Sequence, residues 1–300
     1  MCRVTLVLFL CLTAIPPSAS AQNRRYTLEV GGMQRSYRLH VPPGLGGDRP
    51  ALVVALHGRL GTGAEMARLS RFDALADREH FLVAYPDGWQ RSWADGRSGT
   101  PADKKDLDDV GFISAMLDDI ARRQPYDPSR VYAAGISNGG FMSERLACDL
   151  GDRFAAIGVV AATLADYLAS RCRLSHPMSV MLMNGTLDPL VPFGGGDLSG
   201  GRGHVLSVDE TVATWAGWDR CSPTPATRTL PNTANDGTRV SEATFGHCAG
   251  GAEVVAYRID GGGHTWPGGS QYLPVRFVGK ASRNLAGSEA LWGFFSRHHR

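Results

Sequence analysis

The sequence predicts an α/β fold, with a mostly parallel central sheet, helices on both faces and an antiparallel hairpin at the N-terminal side. Three observations carry this reading. Short runs rich in Val, Ile and Ala recur at 51–56, 81–85, 131–134, 156–161, 180–183 and 253–259, as expected for strands covered on both faces. Stretches of helical character lie between or after them, at 65–79, 107–123, 141–150, 208–218 and 288–298. Two alternating runs, 26–30 and 37–41, flank Gly31-Gly32 and read as the hairpin.

The clearest helix is 107–123, where Val110, Ile113, Leu117 and Ile120 recur at spacings of three and four and make one apolar stripe. Asp108, Asp109, Asp118 and Asp119 fall mostly off that stripe. In sheets of this kind ligands bind at the carboxyl ends of the strands, so chemistry is sought in the turns that follow them. No internal repeat and no Pro/Ser/Thr-rich linker interrupts the chain, which reads as one domain over 22–300.

At 300 residues, with 43% hydrophobic and 20% charged residues, the chain has the material for a large core. Its net charge of +2 leaves no excess to neutralise a nucleic-acid backbone or hold an anionic membrane. The first 21 residues have the layout of an export signal: Arg3, an apolar run to Ile15, then Ala19-Ser20-Ala21 ahead of Gln22. The apolar run is too short for a membrane span, and cleavage after Ala21 would release the chain to a periplasm or the medium. Cleavage also removes Cys2 and Cys11 and leaves Cys148, Cys172, Cys221 and Cys248. An even count in an exported chain reads as disulfides. Of the three possible pairings, Cys148–Cys172 with Cys221–Cys248 is favoured because each closes a short loop. A zinc site would need C-x-x-C pairs or histidines at ligand spacing, and neither accompanies these cysteines; no metal is expected.

Gly135-Ile136-Ser137-Asn138-Gly139 is the only G-x-S-x-G in the chain. It follows the run 131–134 and opens a helix, the context in which a sharp strand-to-helix turn lifts a serine hydroxyl to the top of a sheet. A serine hydroxyl needs a base to take its proton and a third group to orient that base. Asp188 stands just past the strand that ends at Asn184, and His264 follows the strand at 253–259 on Gly261-Gly262-Gly263. Asp197 and Asp260 are the substitutes for Asp188. The chain order Ser, Asp, His is that of the α/β-hydrolase fold. Leu56-His57-Gly58-Arg59-Leu60-Gly61 occupies the loop that supplies one oxyanion-hole N–H; Arg59 is the expected donor, with Leu60 next, and Asn138 supplies the second. Trp89, Trp93 and Trp266 lie in loops on the active-site side and could stack on an aromatic acyl group or a sugar, whereas Trp215, Trp218 and Trp292 fall in helical patterns and read as core.

Several motifs in fixed order then resemble one group. These are Tyr85-Pro86-Asp87-Gly88 with Arg91-Ser92-Trp93, Asp109-Val110-Gly111-Phe112, Arg130-Val131-Tyr132 leading into Gly135–Gly140, Asn184–Pro189 and Gly262–Gly268. Together they are similar to the secreted polyhydroxybutyrate depolymerase and feruloyl esterase group, related to carbohydrate esterase family 1. The resemblance implies an α/β-hydrolase catalytic domain, a triad of Ser137, Asp188 and His264, no cofactor, and the local disulfides. The expected function is a secreted serine carboxylic-ester hydrolase acting on feruloyl-polysaccharide, or on hydroxyalkanoate polyester or oligoester. An acetyl-ester esterase is the alternative, followed by a serine peptidase or a silent binding protein of the same fold. No separate polymer-binding domain accompanies this chain, and too few residues lie between 161 and 180 for a large lid, so an open serine is expected.

Overall fold

The computed structural model describes residues 21–45, 47 and 49–300. The expected export signal, with Cys2 and Cys11, lies outside the described residues except for Ala21. Among the described residues twelve strands run β1 (Gln22–Val30), β2 (Met33–Val41), β3 (Leu52–Leu56), β4 (Leu82–Asp87), β5 (Val131–Ile136), β6 (Ala156–Val160), β7 (Ser179–Gly185), β8 (Gly196–Asp197), β9 (His204–Val205), β10 (Ala226–Thr229), β11 (Arg239–Phe245) and β12 (Val254–Asp260). The helices are α1 (Gly63–Ser70), α2 (Phe72–Glu79), α3 (Pro101–Lys104), α4 (Asp109–Arg123), α5 (Asn138–Asp149), α6 (Asp166–Arg171), α7 (Val208–Trp218), α8 (Val275–Val278) and α9 (Gly287–Phe295).

Ten strands form one sheet in the order β1-β2-β4-β3-β5-β6-β7-β12-β11-β10. The middle six are parallel, and an antiparallel pair closes each edge. The β1–β2 hairpin is where the sequence puts it, turned by Gly31 and Gly32, both at positive φ. β3, β5, β6 and β7 are buried along their whole length because helices cover both faces. On one face, Phe112 and Ile113 of α4, Phe141 and Leu146 of α5 and Trp215 of α7 pack against the sheet. On the other, Met66 of α1, Phe72 and Leu75 of α2, and Leu291 and Phe294 of α9 do the same.

Two expectations need correction. The helix expected over 65–79 is two helices, broken at Arg71, whose φ is +57°. The cause is Ser70, whose hydroxyl donates to the Met66 carbonyl and accepts from the Phe72 N–H, taking over bonds the helix would have made. Asp109 is fully buried, because it lies three and four residues ahead of Phe112 and Ile113 and so shares their face. Cys148 is bonded to Cys172 and Cys221 to Cys248. Among the described residues no helix is long and apolar enough to cross a membrane.

Candidate active site

Ser137 sits between β5 and α5 at φ +56°, ψ −123°, a conformation that a non-glycine residue keeps only when its surroundings enforce it. Its N–H donates to the Val160 carbonyl at 2.8 Å, tying the turn to β6. The flanking glycines have a steric reason: a Cβ on Gly135 would overlap the Gly139 carbonyl, and one on Gly139 would overlap the Leu56 carbonyl. α5 starts immediately after Ser137, so its first free N–H groups and its dipole are aimed at the serine.

Asp188 and His264 lie in the turns after β7 and β12, on the same carboxyl edge of the sheet as Ser137. His264 Nδ1 is 2.7 Å from Asp188 Oδ2, and both side chains are almost wholly buried. The other oxygen of Asp188 accepts the N–H groups of Leu190 and Val191, each at 2.8 Å, which fixes the carboxylate. The His264 N–H donates to the Val278 carbonyl at 2.6 Å, and the Tyr272 hydroxyl donates to the His264 carbonyl. With Nδ1–H directed at the carboxylate, Nε2 carries the free lone pair. Asp197 instead pairs with the exposed His204, and Asp260 with Arg258.

The loop after β3 lies against the serine, for a Cβ on Gly58 would stand 3.4 Å from the Ser137 Cβ. In this loop the Leu60 N–H donates to the Arg91 carbonyl and the Gly61 N–H to the Gly58 carbonyl. The Arg59 and Asn138 N–H groups have no partner among the described residues. The His57 ring bonds the Gly58 carbonyl through Nδ1 and accepts the Gly88 N–H on Nε2, so it splints two loops. Burial holds its pKa below the ordinary histidine value, which keeps this neutral tautomer in place.

Two of the three tryptophans expected to stack on substrate do not present a face. Trp93 is fully buried, its indole N–H bonded to the His57 carbonyl and its main-chain N–H to Asn138 Oδ1. Trp266 is buried against Phe72, with its indole N–H bonded to Ser288. Both loops are drawn into the core because these rings fill space beneath them. Trp89 keeps part of its surface.

Sequence reasoning missed a buried polar support under the serine. Asn138 Nδ2 donates to Asp95 Oδ2 at 2.6 Å, and Asp95 also pairs with Arg97 at 2.6 Å. Beside it, Asp109 accepts the Ala94 N–H and pairs with Arg35 at 2.6 Å. The spacing of three and four from Asp109 to Phe112 and Ile113 could have signalled that Asp109 is buried, but nothing local pointed to its partner Arg35 or to Asp95. Among the described residues no cluster of His, Cys, Asp and Glu could hold a metal ion. A cleft of about 710 Å³ between α7 and β10–β12 is lined by Val212, Arg228, Glu242 and Tyr257, and contains none of Ser137, Asp188 and His264.

Residues 35–192 match the family model described as Esterase PHB depolymerase. NocK of Nocardia uniformis subsp. tsuyamanensis, whose name assigns it to the esterases only provisionally, is 34% identical over 93% of this chain and 84% of its own. Feruloyl esterase B of Piromyces equi is 29% identical over 74% of this chain and 41% of its own length. Poly(3-hydroxyalkanoate) depolymerase C of Paucimonas lemoignei is 31% identical over 62% and 44%. The chain thus spans less than half the length of these last two relatives. Among solved structures, the acetyl xylan esterase from Aspergillus awamori matches 91% of this chain and 99% of its own with a TM-score of 0.61 at 16% identity. At that identity the likeness speaks for the fold alone, and the fold is that of the α/β-hydrolases.

Proposed function

Because the chain belongs to the Esterase PHB depolymerase family and is an esterase, we propose that it is an exported serine carboxylic-ester hydrolase with Ser137, His264 and Asp188 as its triad. The observation that carries this is the buried 2.7 Å Asp188–His264 pair on the same sheet edge as a serine held at positive φ. Ser137 Oγ attacks the ester carbonyl while His264 Nε2 takes its proton. Asp188 holds the imidazole in the required tautomer and stabilises the imidazolium that forms. The Arg59 and Asn138 N–H groups bind the tetrahedral oxyanion. His264 then returns the proton to the leaving alkoxide, and a water molecule, activated the same way, releases the acyl group from Ser137.

Export is supported by the layout of residues 1–21 and by two disulfides, which persist in oxidising compartments. The names of the relatives point to feruloyl esters and hydroxyalkanoate polyesters. The surface supports an apolar substrate of this kind over an acetyl ester. Among the described residues the large exposed apolar side chains are Leu60, Tyr167, Leu187, Tyr272, Leu273, Val275 and Phe277, all in connections that follow the carboxyl ends of parallel strands. An acetyl group needs no such rim. Trp89 is the remaining candidate for stacking on a feruloyl ring.

The test is turnover of methyl ferulate, a soluble 3-hydroxybutyrate oligomer and 4-nitrophenyl acetate by the wild type and Ser137→Ala. The variant should keep the fold and lose turnover on all three by at least about a thousandfold. Retained turnover, or fluorophosphonate labelling of a different serine, overturns the assignment. The wild type should prefer one of the first two by kcat/KM; a preference for the acetyl ester would reverse the substrate reading.

A further inference from the structure

We infer that Trp93 is the positioning residue of the oxyanion hole: it joins the loop that carries the Arg59 N–H to the residue that carries the Asn138 N–H, and so sets the spacing of the two donors. This rests on the triad and oxyanion-hole reading above and deepens it, by assigning the geometry of the hole to a buried side chain that touches no substrate.

Two donors serve one oxyanion only if both lie about 2.7–3.1 Å from the place where it forms. Here they come from separate elements, the irregular loop between β3 and α1 and the first residue of α5. The two elements abut: a Cβ on Gly139 would stand 2.7 Å from the His57 carbonyl oxygen, and one on Gly58 3.4 Å from the Ser137 Cβ. Contact limits how close they come, but directional bonds are needed to fix how far apart they stay.

Those bonds run through the turn at 88–93. The Gly88 N–H donates to His57 Nε2 at 2.9 Å and the Leu60 N–H to the Arg91 carbonyl at 2.8 Å, and both tie the turn to the loop. The second bond also engages the Leu60 N–H, which leaves Arg59 as the free donor. Trp93 makes the connection across. Its indole N–H donates to the His57 carbonyl at 2.8 Å. Its main-chain N–H donates to Asn138 Oδ1 at 2.8 Å, and its carbonyl accepts Asn138 Nδ2 at 3.1 Å. The ring is fully buried and packs on the His57 imidazole and on Phe112, with centroids 4.9 and 6.5 Å away, so it acts as a rigid spacer. Asp95 also holds the Asn138 amide, but among the described residues it makes no bond to the 57–61 loop.

The test exchanges the atom that the hole binds. 4-Nitrophenyl acetate is compared with its thiono analogue, in which a sulfur, larger and a weaker acceptor, takes the place of the carbonyl oxygen. An intact hole favours the oxygen ester, and the wild type should do so by at least about a hundredfold in kcat/KM. Trp93→Phe keeps an aromatic ring, the main-chain bonds and the buried ion pairs, and deletes the indole N–H. Measured well below its melting temperature, it should lose about tenfold in kcat/KM on the oxygen ester and far less on the thiono ester, so the ratio falls about tenfold. Asn138→Ala keeps the donor N–H, removes the other end of the bridge, and should lower the ratio as well. Trp266→Phe is the control for a merely structural loss. It deletes a second buried indole bond, to Ser288, and any displacement of the nearby His264 slows both esters together and leaves the ratio alone. A wild-type ratio in Trp93→Phe or in Asn138→Ala, or an equal fall in Trp266→Phe, overturns the inference while leaving the esterase reading intact. No oxygen preference in the wild type, or turnover by Ser137→Ala, would break the oxyanion-hole and triad reading and the inference with it.

Discussion

The two halves of the active site are built from different materials. Under Ser137 the support is made of buried charge: Asn138 leans on Asp95, Asp95 on Arg97, and Asp109 joins Arg35 to the Ala94 N–H, all nearly or wholly excluded from water. Around His264 the support is main chain. Gly263 donates to the Lys280 carbonyl, His264 to Val278, Leu187 to Gly262 and Thr186 to Ile259, and the glycines let these backbones approach closely. Buried charges give strong, directional support, yet they leave an expensive remnant when one partner is removed. Backbone bonds between glycine turns leave no such remnant, but they tolerate no added atom. The nucleophile half should therefore fail through stability, and the base half through geometry.

The largest effect tests the first statement. Arg35→Met leaves Asp109 buried without its cation, and burial already pushes that carboxyl above the ordinary aspartate range with Arg35 present. The cost should be about 3–5 kcal/mol in urea unfolding at pH 7. The double variant Arg35→Met/Asp109→Asn should recover much of it, because the orphaned charge is gone. A loss below about 1 kcal/mol for the single variant would mean that the 93–97 segment is supported elsewhere, and the contrast between the halves would disappear.

Gly263→Ala tests the second. The new Cβ would overlap the Val278 carbonyl and Gly279, next to the 2.6 Å bond from His264 to Val278. Relief by a shift of a few tenths of an ångström to one ångström moves the imidazole relative to Ser137. We expect kcat to fall by about 100-fold, with a smaller change in the urea midpoint than Arg35→Met gives. A variant that loses stability first and keeps kcat would invert the comparison.

The same contrast explains what could be read from the sequence. Ser137, Asp188 and His264 each occupy a turn after an apolar run, and the sheet puts such turns on one edge, so local pattern and topology suffice to nominate them. The Asp95–Asn138 contact spans 43 positions and Arg35–Asp109 spans 74, with no local pattern to announce either. The burial of Trp93 and Trp266 is not legible in the sequence for a related reason: a loop tryptophan looks exposed there, and whether its loop folds inward depends on distant partners such as His57, Phe72 and Ser288. β10 and β11 carry mostly exposed or half-exposed residues such as Thr227, Arg228, Ser241 and Glu242, so their strand pairing leaves little hydrophobic trace. The break at Arg71 depends on one serine's hydrogen bonds, below the resolution of a periodicity argument.

A smaller effect sharpens the account of the nucleophile half. Glu144 lies on α5, two turns beyond Ser137, fully buried, with one oxygen accepting the Trp215 indole N–H and the other unpartnered. Burial raises its pKa to about 8 from an ordinary 4.5. Between those values the folded chain keeps a proton that the unfolded chain has released, so stability declines as pH rises from about 4.5 to about 8 and levels off above. The limiting slope for one such group is about 1.4 kcal/mol per pH unit. Asp219, raised to about 7 by the same cause, adds a separate share of the decline at its lower pKa. Glu144→Gln cannot ionise, so its melting temperature should fall less between pH 5 and pH 8 than that of the wild type, and the two should differ most at pH 8. Parallel profiles would mean that water reaches Glu144, and that the interior beside the nucleophile helix is less dry than its packing implies.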